Sequence, residues 1–457
     1  MRQGILDERR AGPGDPGRQT HSRETGHTMT LGIAFFCFFF FMVINLPISF
    51  GIGLGAMLAG LTLDIDRATI IQRMISAVNS FPLLAVIFFI FGGTLLARGG
   101  VSTRLVRLAE VLVGRIPGAM AHITILACMF FGGVSGSAVA EISSIGAMMI
   151  PTMEKAGYKR ETATSIALAS AVMGPIIPPS IPMIIFAHTA GSVSIAALFL
   201  AGAIPGILIG FGLMIWAYFH AKKHIKPVPL PQLSFKEKAY RVADGLAGLF
   251  TIFIILGGII SGVFTATEAG AVSSLYAIIL CCGIYRETKW SDLPKILFEC
   301  CQVNAVVLFL VATSSVFTWI LTYENLPKVL ASTVFAITDN KFILLIVINI
   351  FLLIVGCLVD LTPAVIMLTP ILLPLMQKMG MHIVHFGAMM IINLCYGLIT
   401  PPVGTSLFVG LRISGLSMNQ IIRPLLPLLA IEIVVLIFVT YWPPLTMWLP
   451  RMFGFVM

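Results

Sequence analysis

The residues best suited to chemistry fall in two clusters of small polar residues, glycine and proline, set in apolar surroundings. The first joins Ser135, Gly136 and Ser137 to the backbone of residues 174–180. The second joins Gly356 and Asp360 to Gly397, Thr400 and Val403. Carbonyl oxygens of unwound backbone, with Ser or Thr hydroxyls, suit a hard cation such as Na+. The N–H groups of open helix starts suit a carboxylate, and Ser137, Ser180, Asp360 and Thr362 are the side chains placed to meet one. Glycine allows close backbone approach and unusual dihedrals. The competing reading is that these glycines and serines are helix-packing residues; duplication of the whole pattern, with paired prolines, favours a site. Asp360 is an acid inside an apolar stretch, and such acids are costly and functional by default. Glu141 and Glu432 are similar candidates, with a partner-facing or interfacial position as the alternative.

The duplication is exact in spacing. At a constant offset of 223 positions, Gly133 falls on Gly356, Pro151 on Pro374, Lys155 on Lys378, Gly157 on Gly380 and Gly174 on Gly397. Pro178 and Pro179 then fall on Pro401 and Pro402, and Ser194 on Ser417, without a gap. This is an internal repeat. Asp360 has Ser137 as its mate, so the two clusters are not chemically identical. Each proline pair should interrupt a helix. In lipid, freed backbone groups are tolerated only inside protein or along a cavity. Paired, interrupted segments in two halves point to a transporter binding site.

The elements that must hold these clusters are membrane helices. The hydrophobic fraction is 58% and the charged fraction 11%, less than half that of a soluble enzyme. Many runs reach the roughly 20 apolar residues that span a bilayer. The net charge of +9 sits mostly in loops, as the positive-inside rule expects, and nucleic-acid binding is not needed to explain it. The eight cysteines lie in or beside apolar runs without Cys-x-x-Cys spacing and read as small hydrophobes. His122 and His188 are assigned no role. A nucleophile with its base, or a His-Glu-x-x-His metal motif, is missing, which argues against an intramembrane enzyme. A channel would need filter repeats or charged rings, also missing.

In chain order, residues 1–28 read as a disordered tail, with Met29 expected to be the translational start. The first membrane repeat covers 29–220, a basic cytoplasmic linker 221–243, and the second repeat 244–457. Residues 31–63 divide into two helices near Pro47, and 64–74 form a polar connection. Residues 81–97 form the next helix. Residues 98–115, with Arg98, Arg104, Arg107 and Arg115 against Glu110, suit a surface helix. A re-entrant hairpin follows at 116–153, a broken helix at 162–187 and a crossing helix at 195–220. The second half should hold helices near 244–262, 269–285 and 297–322. A hairpin near 342–376, a broken helix at 386–410 and a last helix at 421–448 complete it. Thr265 and Glu268 make a capping box before the apolar run from Ala269. An odd number of crossings separates equivalent points, so the repeats are expected to be inverted, the second hairpin opening to the periplasm.

At these residues the chain resembles a known family. Phe131-Gly132-Gly133-Val134-Ser135-Gly136-Ser137-Ala138-Val139-Ala140-Glu141, the run 174–180, Thr265-Ala266-Thr267-Glu268-Ala269 and Leu398-Ile399-Thr400-Pro401-Pro402-Val403-Gly404 are similar to the large membrane subunit of tripartite ATP-independent periplasmic (TRAP) transporters. The resemblance covers 29–457. It implies an all-α polytopic fold of elevator type and Na+-driven import of an organic acid across a bacterial inner membrane. It also implies a small four-helix membrane subunit and a periplasmic substrate-binding protein as partners, with no cofactor beyond the coupling ion. Its first Na+ position corresponds here to Gly132, Ser135, Gly174, Ile177 and Pro179, and its second to Gly356, Gly397, Thr400 and Val403. Glu141 stands where the family usually has Asp, and Gly132 where some members have Ser. A self-sufficient Na+/carboxylate symporter of related architecture is the alternative, which a neighbouring gene for either partner would decide against.

Overall fold

The computed structural model of the chain describes residues 46–63, 65–191, 193–225, 233–326 and 340–456, with scattered residues between 30 and 44 and at 329 and 332. The tail at 1–28, Met29 and part of the first apolar run lie outside them. The described residues with regular structure are helical throughout. Eight helices are long and apolar enough to cross a membrane among the described residues. The chain divides into two compact units, residues 1–79 with 309–329, and residues 80–308 with 330–457.

In the first unit, α1 (Ile48–Thr62) starts just after Pro47, where the sequence places a break. Asp66 then caps α2 (Arg67–Val78), accepting from the Ala68 N–H at 3.3 Å. This corrects the polar connection expected at 64–74. Ile70, Ile71, Met74, Ile75 and Val78 recur at helical spacing, and two arginines hid that stripe. Arg73 places its guanidinium 4.0 Å from the Trp319 ring centre.

The second unit holds both clusters. A short turn at Phe81–Leu83 leads into α3 (Leu84–Arg98), followed by the amphipathic α4 (Val101–Val113). The first hairpin is α5 (Ala119–Ser135) returning through α6, which comprises Ala138–Glu141, a π-helical turn at Ile142–Gly146 and Ala147–Lys155. The first broken helix is α7 (Arg160–Ala171) and α8 (Ile181–Ala190), and α9 (Ile195–His224) crosses back. Helices α9 and α10 (Phe235–Ile260) carry helical structure into the segment read as a linker. Next come α11 (Ala266–Ile284) and α12 (Leu293–Tyr323), the latter running on into the first unit. The Thr265–Glu268 capping box forms as the sequence indicates, with the Thr265 N–H donating to Glu268 at 2.8 Å.

The second hairpin is α13 (Lys341–Leu358) and α14 (Leu361–Lys378), the second broken helix α15 (Ile383–Gly397) and α16 (Thr405–Ser414). Shifting α6 by 223 gives the bounds of α14, and the same shift takes the start of α9 at Ile195 to Met418, where α17 begins. The last helix was expected to run to 448. Instead α17 (Met418–Tyr441) stops, and Pro443 and Pro444 open a separate α18 (Pro444–Met452). Proline removes the donor that would continue α17 and is favourable in a first helical turn.

The two halves interdigitate. Helix α8, from the first, packs along α14, the return limb of the second hairpin; α16, from the second, packs on α6 and α7. Gly387 on α15 admits the Phe186 ring of α8, and Gly410 on α16 admits Leu168 of α7. The Phe186 and Phe386 rings meet edge-on at 6.0 Å. Exposed apolar surface lies elsewhere: Ile343, Ile346, Val347, Ile350 and Ile354 form a stripe on α13.

Candidate functional site

Each hairpin tip rests against the break of the helix that follows it. In the first half, α5 ends at Ser135, and Gly136 turns the chain with φ +62°, a left-handed conformation open to glycine at no steric cost. Its N–H donates to Gly132 O at 3.1 Å. The helical ladder of α7 is lost after Ala171, and the chain passes Gly174 and the cis Pro178–Pro179 bond before α8 begins. The two backbones touch. A methyl on Gly132 would stand 3.1 Å from Gly174 Cα, one on Gly133 3.2 Å from Pro178 O, and one on Gly136 3.0 Å from Pro179 O. Thus Gly132, Gly174 and Pro179 of the first expected Na+ position come together, with Ser135 one turn after Gly132. Ile177 directs its side chain at Gly206 on α9, so any part it takes at the break is through its backbone.

The second half repeats the contact more tightly. A methyl on Gly356 would lie 3.0 Å from Leu394 O and 3.3 Å from Gly397 Cα, and one on Gly397 would overlap the Gly356 backbone. The Gly404 N–H donates to Cys357 O at 2.9 Å, tying the tip to the far side of the break. Gly356 and Gly397 are therefore together. Thr400 turns its hydroxyl back to Tyr396 O at 2.7 Å, and Thr362 lies in the first turn of α14, half-buried.

Two helices end and two begin at each break, so carbonyl-rich and N–H-rich ends meet. The beginnings differ between the halves. Ser137 accepts from the Ala140 N–H and Ser180 from the Met183 N–H, both at 3.4 Å, and Ser180 donates to Pro175 O at 2.5 Å. The starts of α6 and α8 are thereby capped by side chains. At the second break, Asp360 stands at the N-cap of α14 without a capping hydrogen bond, and Gly404 before α16 has no side chain to offer. Asp360 is exposed at the tip and accepts from Thr405 Oγ at 3.1 Å.

The buried acids are the other two. Glu141 is 0% exposed, and its carboxylate lies at the Gly132–Gly174 seam, 3.0 Å from a methyl built on Gly132. No N–H or O–H reaches either oxygen; the Cys128 thiol is its polar neighbour. Glu432, on α17, is also 0% exposed, with both oxygens unpartnered, as is the hydroxyl of nearby Tyr396. Sequence reasoning passed over Asn349 and Asn393. Asn393 Nδ2 donates to Asn349 Oδ1 at 2.7 Å and to its carbonyl at 2.9 Å, and Asn349 donates to Thr440 Oγ at 3.2 Å. This amide pair, buried at Asn393 and half-buried at Asn349, clamps α15 to α13 just before the break. Lone asparagines inside two otherwise apolar runs were the available signal.

Away from the breaks, Arg104 of α4 binds Asp244 of α10 at 3.1 Å and Glu287, beyond α11, at 2.6 Å, with its guanidinium 3.7 Å from the Tyr285 ring centre. Burial works against the Arg104 charge, and the Glu287 hydrogen bond and Asp244 outweigh it, leaving its pKa raised. Arg241 and Glu110 add a second pair at 2.5 Å. Among the described residues no cluster of His, Cys, Asp and Glu could hold a transition metal.

Comparison with known proteins identifies the family, and the matched region contains both breaks. The family model for the tripartite ATP-independent periplasmic transporter, DctM component, matches residues 35–445. The uncharacterized protein YgiK of Salmonella typhimurium is 41% identical over 92% of this chain and 97% of its own length. The sialic acid TRAP transporter large permease protein SiaM of Vibrio cholerae is 39% identical over 84% of this chain and 89% of its own. Among solved structures, the YdaH transporter of Alcanivorax borkumensis superposes with a TM-score of 0.59 at 15% identity, over 83% of this chain and 89% of that one, a likeness of fold. With its paired hairpin tips and proline breaks inside the matched region, the chain belongs to the DctM component family of tripartite ATP-independent periplasmic transporters.

Proposed function

We propose that this multi-pass transport protein is the large permease subunit of a Na+-coupled importer in a bacterial inner membrane. Its cargo is an organic acid of the C4-dicarboxylate, sugar-acid, keto-acid or sialic-acid class. A periplasmic binding protein delivers the acid, and a small four-helix membrane subunit completes the scaffold. The observation that carries this reading is the duplicated contact of a glycine tip with a glycine break. Each gathers the carbonyl ends of two helices around close-packed glycine backbone, an arrangement suited to a dehydrated Na+. Gly132, Ser135, Gly174, Ile177 and Pro179 hold one ion, and Gly356, Gly397, Thr400 and Val403 the other. The open helix starts at the second break suit the substrate carboxylate, with Thr362, Asp360, Ser137 and Ser180 around it. The repeats are inverted, and the hairpins and broken helices move as one transport core against α9, α17 and the small subunit.

Uptake into proteoliposomes holding this chain with its small subunit tests the proposal, with the periplasmic protein outside and radiolabelled organic acids offered in turn. Uptake should require both an inward Na+ gradient and the binding protein. Uptake that ignores the Na+ gradient sinks the ion assignment. Uptake without the binding protein replaces the tripartite reading with a self-sufficient symporter.

A further inference from the structure

A second polar site lies away from the breaks, at the open end of the second hairpin. A cavity of about 400 Å³ is bounded by Lys341 and Phe342 at the start of α13, Gly380 to His382 before α15, His385 within it, Thr440 and Tyr441 closing α17, and Met447 and Arg451 on α18. Its charged lining is all of one sign: Lys341 and Arg451, with no carboxylate among the lining residues. The Lys341 ammonium donates to Met379 O at 2.8 Å, a neutral partner, so its charge is unbalanced. His382 caps α15 through Nδ1, which accepts from the Val384 N–H at 3.2 Å, leaving Nε2 for the cavity. Burial, then the Arg451 charge, lowers its pKa. His385 is 2% exposed; its Nδ1 meets Thr446 Oγ at 2.6 Å, and its Nε2 is buried without a hydrogen-bond partner, the Thr440 carbonyl nearby closing none. A buried polar atom without a partner costs stability unless a ligand supplies one.

Depth in the membrane identifies the ligand class. Trp442 and Trp448 are exposed on either side of the α17–α18 corner, where amphipathic rings mark the headgroup level. From the cavity mouth the exposed Phe342, Ile343 and Ile346 run away along α13, a surface for acyl chains. Two cations facing one cavity at headgroup level suit a phosphate, here in the outer leaflet since the second hairpin is read as opening to the periplasm, and charge-assisted bonds to phosphate are short and strong. We propose that this cavity binds the phosphate headgroup of an anionic phospholipid through Lys341 and Arg451, with His382 and His385 completing its contacts. The lipid would brace the base of the second hairpin against α18.

The test uses the purified full chain in detergent, titrated with phosphatidylglycerol, phosphatidylcholine or inorganic phosphate, with thermal unfolding and native mass spectrometry as readouts. Phosphatidylglycerol should raise the melting temperature and remain bound where phosphatidylcholine does not. The Lys341→Gln/Arg451→Gln double variant, altered only at exposed positions, should lose about tenfold or more in apparent affinity. Lys295→Gln, an exposed cation elsewhere, should retain it. Equal effects of the two lipids, or an unchanged response in the double variant, overturn the proposal. Stabilisation by inorganic phosphate equal to that by phosphatidylglycerol also overturns it, by making this a site for free anions.

Discussion

At the scale of single residues, the two breaks depend on positions where even a methyl group does not fit. Gly397→Ala would drive its Cβ into the Gly356 backbone, and backbone cannot rotate aside as a side chain can. We expect a loss of about 1–3 kcal/mol in unfolding free energy, together with loss of transport. Gly283→Ala, where nothing lies within 4 Å of the added methyl and φ is ordinary, should leave both unchanged. Glu432 makes the opposite case. Its carboxylate is buried with no partner, so Glu432→Leu should leave thermal stability equal or raised. A lower melting temperature would indicate a bond partner or ion at that side chain. Glycine, proline and serine positions at the breaks were legible because their types are unusual within apolar helices. Burial was not legible: Asp360 drew attention as the intramembrane acid, yet it is exposed at the hairpin tip while Glu141 and Glu432 are enclosed. A residue's type does not reveal which face of its helix turns inward.

At the scale of elements, the offset of 223 carried the reading of hairpins and broken helices from one half to the other, and their bounds agree closely. The two misreadings have local causes. Charges at Arg67 and Arg73 hid the apolar stripe of α2, and hydropathy alone does not separate α17 from α18 across Trp442 and Pro443. Capping chemistry was legible because it is local in sequence. Thr265→Ala should cost about 1 kcal/mol by freeing the first-turn N–H groups of α11, measured by unfolding in graded denaturing detergent. No change would mean that packing of α11 on α3 alone fixes that end.

At the scale of the whole molecule, the sequence indicated a two-fold repeat but not how the halves meet. Packing of α8 on α14 and of α16 on α6 and α7 involves residues more than 150 positions apart, and no local pattern announces it. Ion pairs also act at long range, over 140 positions for Arg104–Asp244 and 183 for Arg104–Glu287. Arg104 joins α4 to the second half through Asp244 and Glu287. Arg104→Ala should therefore lower stability by about 1–3 kcal/mol, leaving two carboxylates unpaired. Arg104→Lys should recover only part of that, since the paired bonds and ring stacking need a planar guanidinium.

The interlocking of the halves bears on how the covalent chain is used. If α8 belongs sterically with the second hairpin and α16 with the first, the peptide joining the halves is a leash rather than a girder. A gene opened between Ile225 and Leu233 and expressed as two polypeptides should yield fragments that co-purify as one particle, each failing alone. Fragments that fold separately and ignore one another would mean that each half is a self-contained unit and that the swapped helices are incidental to its stability.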